Sequence, residues 1–193
     1  MQKNNTQEEG KWTISNGKSG IESFAQIKLW NGNDSLHFWD TYGDNTTDAE
    51  PCNQIKGTDG AQFAPSVTEK SVLWAFVTDL CRTIPFKMIG RGEVWGVETL
   101  KFAIPKEFYD APSKFPKNRC FCTKEGDDRI QCENDGVMDV SVCRKDAPIL
   151  MSAPHFWNGL NYTKGINGLK PDPKLHQTVI EVEPVSINSQ KFF

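Results

Sequence analysis

Short apolar runs separated by turn residues recur along most of this chain, the pattern typical of an antiparallel β protein. Residues 27–29 and 36–39 are two such runs, and Asn31-Gly32 between them supplies the positive φ values that a tight turn needs. We therefore predict a hairpin over these residues. The continuous apolar run Val72–Val77 is too short for a typical helix, and we predict that it forms a buried strand.

A second hairpin is predicted over residues 86–104. Residues 86–89 form its first strand, the glycine-rich stretch 90–93 its turn, and residues 94–104 its return strand. One face of the return strand is mostly apolar and the other is mixed. The apolar face carries Glu98, Leu100, Phe102 and Ile104. The glycine spacing in this hairpin differs from that of a dinucleotide-binding loop, and no helical pattern follows it, so no nucleotide cofactor is expected.

The remaining sequence alternates between loops and further short strands. Strand character returns in three later segments: residues 136–143, 148–152 and 178–182. Polar or proline-broken loops are predicted in three others: residues 43–62, 105–119 and 167–173. Within the first of these loops, residues 57–60 are expected to make a sharp bend. The pattern predicts one mainly antiparallel β domain over residues 1–193, with short helical pieces and a flexible polar start at residues 1–10.

Length and charge narrow the class of partner. A chain of 193 residues is long enough for one domain with a substantial apolar core. The net charge is −3, and both signs are scattered along the sequence. Because nucleic acid requires a concentrated basic surface, a polynucleotide partner is not expected.

All six cysteines lie between Cys52 and Cys143, and this clustering indicates disulfides. Six cysteines permit many complete pairings, and the sequence alone does not choose among them. Cys120 and Cys122 flank a single residue, and so short a ring would distort the S–S geometry, so each is expected to reach a different partner. Cys132, across a polar turn, is the nearest candidate for Cys122, which leaves Cys120 for a distant partner.

Two other uses of these thiols are less well supported. A structural zinc site usually offers C-x₂₋₄-C pairs, whereas the pair here is C-x-C, and His37, His155 and His176 stand alone. A catalytic cysteine would need a histidine brought near it by the fold, and no local motif indicates one. We therefore expect no metal site and no catalytic cysteine.

Glycosylation sequons point to the same compartment as the cysteines. The N-x-[ST] rule is met at Asn4, Asn33, Asn45 and Asn161. Together with six cysteines, these sequons favour an oxidising, glycosylating compartment such as the cell surface or the endolysosomal lumen. The sequence has neither an apolar leader nor an apolar run long enough to span a bilayer. We interpret the chain as a piece of a longer protein whose targeting and anchoring segments lie outside it.

Six motifs in one order carry a resemblance to a known family. They are KGTDGAQFAP at 56–65, TDLCRT at 78–83, CFC at 120–122, GVMDVS at 136–141, SAPHF at 152–156 and GLKP at 168–171. In their order and spacing these motifs resemble the class B scavenger receptor family, which includes fatty-acid translocase (platelet glycoprotein four), the lysosomal integral membrane proteins and the insect sensory neuron membrane proteins. The resemblance runs from about Asn4 to the C-terminus.

The resemblance implies a fold and a location. Family members carry a glycosylated ectodomain between two transmembrane helices, on the extracellular or endolysosomal-lumen side of the plasma membrane or lysosome. The implied fold is mainly β with short helices, built on an antiparallel barrel-like sheet. This chain resembles about the C-terminal half of that ectodomain, without the helical tip bundle and the transmembrane helices. By position, the family's disulfides become Cys52–Cys120, Cys81–Cys143 and Cys122–Cys132.

The function that the resemblance implies involves no bond chemistry and no cofactor. Ectodomains of this family enclose an apolar tunnel, and the expected partners are fatty acids, cholesterol, cholesteryl esters, lipoproteins or other lipids. A hydrocarbon chain gains about 0.8 kcal/mol per CH₂ removed from water, so broad selectivity is expected. The candidate lining residues are Phe63, Trp74, Phe76, Leu100, Phe102, Ile104 and Phe156. The same residues also fit the interior of a packed core.

Two other functions compete with lipid transfer. His155 is the strongest catalytic candidate for an esterase, but neither a G-x-S-x-G nor an H-E-x-x-H motif accompanies it. We interpret His155 as a histidine held by backbone hydrogen bonds and predict no enzyme activity. Alternatively, the chain is a protein- or polyanion-recognition module without lipid transfer, with the charged loop 114–119 as its candidate surface, although a solvated loop explains those charges more simply.

Overall fold

The computed structural model describes residues 10–39, 50–122, 130–185 and 189–192. Its strands are β1 (Trp12–Ile14), β2 (Ile27–Trp30), β3 (Val72–Val77), β4 (Arg82–Val94), β5 (Val97–Ala103), β6 (Val137–Asp139), β7 (Leu150–Ser152), β8 (Val179–Val182) and β9 (Ser189–Phe192). Three single-turn α-helices accompany them: α1 (Glu50–Asn53), α2 (Ile130–Glu133) and α3 (Pro173–His176). Short 3₁₀ helices occur at Ile21–Ser23, Lys106–Phe108, Pro116–Phe121, Ser141–Cys143, Pro154–Phe156 and Leu160–Thr163. The prediction of a mainly β fold with short helices is confirmed.

The main sheet has five strands in the order β3-β4-β5-β8-β9, and each neighbouring pair is antiparallel. It curls into a half-barrel, as predicted. Two further sheets have two strands each, β1-β2 and β6-β7. The predicted strand at Val72–Val77 is β3, and it buries Leu73, Ala75 and Phe76. The predicted flexible start lies outside the described residues, apart from Gly10.

The second predicted hairpin is present, but the predicted position of its turn is wrong. Strand β4 continues through residues 90–93, and the chain reverses at Trp95-Gly96, where φ is 51° and 81°. Val94 pairs with Val97 across this two-residue turn. Two successive positive φ values match the right-handed twist of the flanking strands, which explains why the reversal occurs there.

The glycine stretch that suggested the turn has another role in β4. An irregularity in the β4–β5 register falls between Met88 and Gly90. Two positions later, a Cβ on Gly92 would lie 2.5 Å from a carboxylate oxygen of Glu181 and 2.9 Å from the hydroxyl of Thr99. A Cβ at position 92 would therefore require side chains of the neighbouring strands to move. Leu100, Phe102 and Ile104 of the predicted apolar face are buried, but burial does not distinguish the two faces, because Thr99 and Ala103 of the other face are buried as well.

The first predicted hairpin is wrong in its second arm. Its turn is present, with φ of 53° at Asn31 and 84° at Gly32. However, β2 pairs with β1 upstream, and residues 36–39 form no strand. The Leu36 N–H donates instead to the Asn53 carbonyl at 2.7 Å. Trp39 is only 1% exposed, so burial of its ring in the core takes the place of strand pairing.

The three later strand predictions are confirmed in part. Strands β7 and β8 lie within the predicted segments 148–152 and 178–182. In the segment 136–143, only β6 is extended, and a 3₁₀ turn follows it. This turn forms because the N–H and hydroxyl of Ser141 both donate to the Asp139 carboxylate. Such a local side-chain contact competes with strand pairing.

The predicted bend at residues 57–60 anchors a loop to the main sheet. Gly57 has φ of 92° and Gly60 of 88°. The Thr58 N–H donates to the Trp74 carbonyl at 3.0 Å, and the Thr58 carbonyl accepts from the Phe76 N–H at 2.8 Å. Thr58 is fully buried by this arrangement. The bend therefore adds a short parallel bridge to the edge of β3.

Two apolar clusters form the core. The larger cluster packs against the main sheet, and its least exposed members are Phe102, Ile180, Val182 and Val140, each at 0%. The smaller cluster surrounds Trp39 and includes three half-cystines, Cys52, Cys81 and Cys120. Removing a buried phenylalanine side chain typically costs about 3–5 kcal/mol, so Phe102 is a main source of stability.

Candidate functional site

Four of the seven predicted tunnel residues lie together in the larger apolar cluster. They are Phe63, Leu100, Phe102 and Ile104, each at most 8% exposed. Their side chains pack against other core side chains of this chain. The β5 residues Leu100 and Phe102 reach the cluster because alternate positions of a strand point to the same face.

The other three predicted tunnel residues lie apart from that group. Phe76 belongs to the smaller cluster, and its ring centroid is 5.9 Å from that of Trp12 and 5.6 Å from that of Trp30. Sequence reasoning missed these two tryptophans because contacts between distant segments leave no local pattern.

Trp74 and Phe156 are both only half-buried. The ammonium of Lys56 lies 3.9 Å from the centroid of the Trp74 ring. The ring of Phe156 stacks on that of Tyr162 at 5.6 Å. These two aromatic side chains retain surface that a ligand can contact.

The six cysteines form three disulfides, Cys52–Cys120, Cys81–Cys143 and Cys122–Cys132. This is the pairing that the resemblance implies. The first two disulfides close loops with sequence separations of 68 and 62 residues, and the third closes one of 10. Trp39 connects the long-range pairs, because its indole N–H donates to the Cys81 carbonyl at 2.6 Å and its ring meets Phe121 edge-on at 5.0 Å.

Arg82 is a buried cation that the sequence analysis did not single out. Its guanidinium carbon lies 3.4 Å from the ring centroid of Phe121 and 4.4 Å from that of Phe108. The Arg82 Nε has no hydrogen-bond partner among the described residues. Burial lowers the pKa of Arg82 from its ordinary value to about 9, and nearby Tyr109 partly opposes this shift. Burial also raises the pKa of Tyr109.

A void of about 20 Å³ lies beside Arg82, lined by Asp110 and Asp139 among others. This volume is enough for about one water molecule. Asp110 is already paired with Lys106, and Asp139 accepts from Ser141. The void therefore accommodates solvation of the guanidinium and is too small for an organic ligand.

His155 and His176 stack on each other at 4.1 Å between ring centroids. The Nδ1 of His155 accepts the Lys170 N–H at 3.2 Å, and the Nδ1 of His176 accepts the Asp172 N–H at 2.9 Å. The interpretation of His155 as a histidine held by a backbone hydrogen bond is confirmed. The stacked pair fastens the loop at residues 170–172.

A surface cleft of about 560 Å³ opens between the end of β5 and the segment 157–161. Ile104, Trp157 and Leu160 form its apolar lining. Six of its nine lining residues are polar or charged. One of them is Asn161, the asparagine of a predicted sequon.

The predicted glycosylation sites divide into two described and two undescribed positions. Asn33 is exposed at the tight turn after β2, and Asn161 is exposed at the cleft. Asn4 and Asn45 lie outside the described residues. Exposure at both described positions is what an attached glycan requires.

The charged loop at residues 114–119 is partly engaged with its own chain. Lys114 pairs with Asp135, and this contact raises the pKa of Lys114. The Asn118 amide donates to the carbonyls of Glu107 and Asp110 at 2.8 and 2.7 Å. Lys117 and Arg119 are the exposed cations that remain in this loop.

The described part of the chain contains neither a cluster of metal-ligating side chains nor a helix able to span a membrane. No group of three or more metal-ligating side chains is found in residues 10–39, 50–122, 130–185 and 189–192. Over the same residues, no helix combines the length and the apolar character needed to cross a membrane.

Comparison with known proteins identifies the family. The sequence profile of the CD36 family matches residues 1–186. The human protein named lysosome membrane protein 2 is 32% identical over 186 residues, which are 96% of this chain and 36% of that protein. Scavenger receptor class B member 1 of Cricetulus griseus is 32% identical over 172 residues, 87% of this chain and 31% of that protein. Sensory neuron membrane protein 2 of Anopheles gambiae is 31% identical over 185 residues, which are 93% of this chain and 32% of that protein.

These relatives confirm the resemblance to class B scavenger receptors. The chain spans about a third of the length of the relatives that it matches. The predicted location, in a membrane protein and on its extracellular or endolysosomal-lumen side, is confirmed by the same relatives. By its sequence, this chain belongs to the CD36 family.

Proposed function

We propose that this chain is part of a membrane-anchored receptor ectodomain that binds lipids or lipoproteins and conducts lipid through an apolar tunnel. The observation that carries the proposal is the CD36 family match over residues 1–186. The relative named scavenger receptor class B member 1 supports the receptor role. The choice of lipid as ligand rests on the family resemblance and on the apolar chemistry of the core.

Burial divides the seven tunnel candidates by the role that we assign to each. Phe102 is 0% exposed, so its surface is already used in packing. Trp74 and Phe156 are half-buried, so part of each aromatic side chain remains for contact with a hydrocarbon chain. Contact with lipid at these two positions fits broad selectivity, because apolar surface imposes no polar code.

The proposal includes no enzymatic step. An esterase needs a nucleophile within hydrogen-bond reach of its histidine. The Nδ1 of His155 instead accepts a backbone N–H, and its ring stacks on His176. We expect no hydrolysis of a chromogenic ester by the purified protein. Hydrolysis that His155→Ala abolished would contradict this part of the proposal.

A polyanion-recognition module is the competing function, favoured by the exposed Lys117 and Arg119. Ionic strength separates the two functions, because salt screens exposed charges but not buried apolar contacts. We expect the purified protein to bind a fluorescent fatty acid equally well at low and high salt. Binding of dextran sulfate that falls steeply with salt, without fatty-acid binding, would support the competing function.

A further inference from the structure

The cleft beside Asn161 has a lining that suits a sugar. A pyranose ring presents C–H groups on its faces and hydroxyl or acetamide groups at its edge. It therefore needs a flat apolar side chain together with hydrogen-bond donors and acceptors. Trp157 supplies the apolar surface, and the amides of Asn158 and Gln177 supply donors and acceptors. The volume of about 560 Å³ lies within the usual range for small-ligand sites, roughly 300–1,000 Å³.

Two other ligand classes fit this cleft less well. A polyanion needs unpaired cations, whereas Lys106 and Lys114, which also line the cleft, are paired with Asp110 and Asp135. A hydrocarbon chain would cover the apolar surface of the cleft but would offer no hydrogen bond to the amides of Asn158, Asn161 and Gln177.

The attachment point of a sugar lies in the cleft itself. Asn161 lines the cleft, is exposed and begins the sequon Asn161-Tyr162-Thr163. A glycan attached there is held close to Trp157 at high effective concentration, so weak contacts are sufficient to seat it. Leu160 next to it is 63% exposed, which leaves apolar surface for the glycan to cover.

We propose that the first sugar residues of an N-glycan on Asn161 pack into this cleft against Trp157. The proposal requires glycosylation of Asn161 and does not depend on lipid binding. The seated sugars cover apolar surface that otherwise faces water.

The polar side of the cleft is fixed in place by backbone contacts. A Cβ on Gly136, whose φ is 88°, would lie 2.1 Å from the Cα of Gly159, so the two glycines bring their backbones into close approach. The Gly136 N–H donates to the Tyr109 carbonyl at 2.8 Å. The Asp135 carboxylate accepts the Ala111 N–H at 2.9 Å. A preformed wall lowers the entropic cost of seating a sugar.

The test compares glycan release from Asn161 and Asn33 in one folded molecule. The protein is purified from a glycosylating eukaryotic host and treated with peptide N-glycosidase in heavy-oxygen water. Conversion of each asparagine to aspartate is followed by mass spectrometry. We expect the native rate at Asn161 to be about tenfold below the native rate at Asn33, equivalent to ~1.4 kcal/mol of protection. After denaturation the two rates should be equal.

Variants of cleft residues test whether slow glycan release at Asn161 comes from packing in the cleft or from general inaccessibility of the site. Trp157→Ala should raise the native rate at Asn161 about fivefold or more, since it removes the stacking surface. Leu160→Ala, at an exposed position, provides a second cleft variant should Trp157→Ala fail to fold. Trp95→Ala is the control, because Trp95 is 94% exposed on the β4–β5 turn and should leave the rate unchanged. An unglycosylated Asn161, equal native rates at both sites, or a rate that no cleft variant changes would overturn the proposal.

Discussion

At the residue scale, Gly57 shows how a single backbone position can fix a loop to a sheet. Its φ of 92° is unfavourable for other residues, and a Cβ would lie 1.9 Å from the Trp74 carbonyl oxygen. We predict that Gly57→Ala lowers the free energy of unfolding by about 3 kcal/mol or more, since strain and a backbone clash add. Urea unfolding with the disulfides intact measures this change.

The matched control is Gly165→Ala. Gly165 has a similar φ of 85°, but nothing lies within 4 Å of the position that a Cβ would take. Gly165→Ala should lower the free energy of unfolding only by the conformational penalty, about 1–2 kcal/mol. Equal losses in the two variants would show that the contact with Trp74 contributes nothing.

Burial of Arg82 makes the stability of the protein depend on pH in the alkaline range. Well below pH 9 this side chain is protonated in both the folded and unfolded states, so it adds no slope to the pH dependence of stability. Burial lowers its folded pKa to about 9, well below its value in the unfolded chain. Above that folded pKa the unfolded chain keeps a proton that the folded chain releases, so Arg82 makes stability rise with pH, by up to ~1.4 kcal/mol per unit.

The corresponding prediction concerns Arg82→Met, which lacks this titration. The difference in unfolding free energy, wild type minus variant, should grow as the pH rises from about 8 to about 10.5. Arg91→Met is the control, because Arg91 is fully exposed and Glu69 raises its pKa, so no slope is expected in this range. Parallel pH profiles for wild type and Arg82→Met would refute the assignment.

At the element scale, the β4–β5 turn lies at Trp95-Gly96 and not at the predicted residues 90–93, and its sequence can be changed to stabilise the protein. Trp95 occupies a positive φ of 51° that asparagine tolerates far better, and its side chain is 94% exposed. We predict that Trp95→Asn raises the free energy of unfolding by about 0.5–1 kcal/mol, because Asn-Gly is the preferred pair in such turns. Thermal unfolding is the measurement. Trp95→Val should lower stability. A Trp95→Val variant more stable than the Trp95→Asn variant would contradict the turn assignment.

The elements that sequence could predict are those whose signal is local. Val72–Val77 is continuous and apolar, and it forms β3 as predicted. The turn at Asn31-Gly32 was found because both residues favour positive φ. The turn at 95–96 was missed because tryptophan is an unusual turn residue, while Gly90 and Gly92 gave a stronger but misleading signal. Side chains of the neighbouring strands lie close to Gly92, and the local sequence carries no information about them.

The candidate site was predicted less completely than the fold for the same reason. Leu100, Phe102 and Ile104 converge because alternation along β5 and the residue after it places them on one face, whereas Phe63 joins them from a loop. The cleft at Asn161 depends on residues between 104 and 177 that only the tertiary structure brings together. The burial of Arg82 between Phe108 and Phe121 is likewise invisible to pattern reasoning, since its neighbours are separated by loops.

At the scale of the whole molecule, the two long-range disulfides tie segments to one another that are distant in the sequence. Cys52–Cys120 joins α1 to the 3₁₀ helix Pro116–Phe121, and Cys81–Cys143 joins the β3–β4 turn to the segment after β6. Loop-closure entropy predicts that removing either costs about 4 kcal/mol, against about 3 kcal/mol for Cys122–Cys132. Denaturant unfolding of the paired alanine variants measures these costs.

Peptide mapping under non-reducing conditions tests the pairing itself. We expect three linked peptides that correspond to these three pairs. A peptide joining Cys52 to Cys81 would contradict the arrangement. Equal losses of stability for the long and short loops would instead contradict the entropic account, with the pairing unchanged.

The central claim is that this chain contributes to a buried lipid path. The most direct measurement is photo-crosslinking of the purified protein with a diazirine fatty acid, followed by mapping of the labelled peptides. The account predicts label on the strand β3 peptide carrying Trp74 or on the peptide carrying Phe156, with little on the loop 114–119 and no loss of label at high salt. Absence of label from every strand peptide and from Phe156, or label confined to the charged loop, would contradict it.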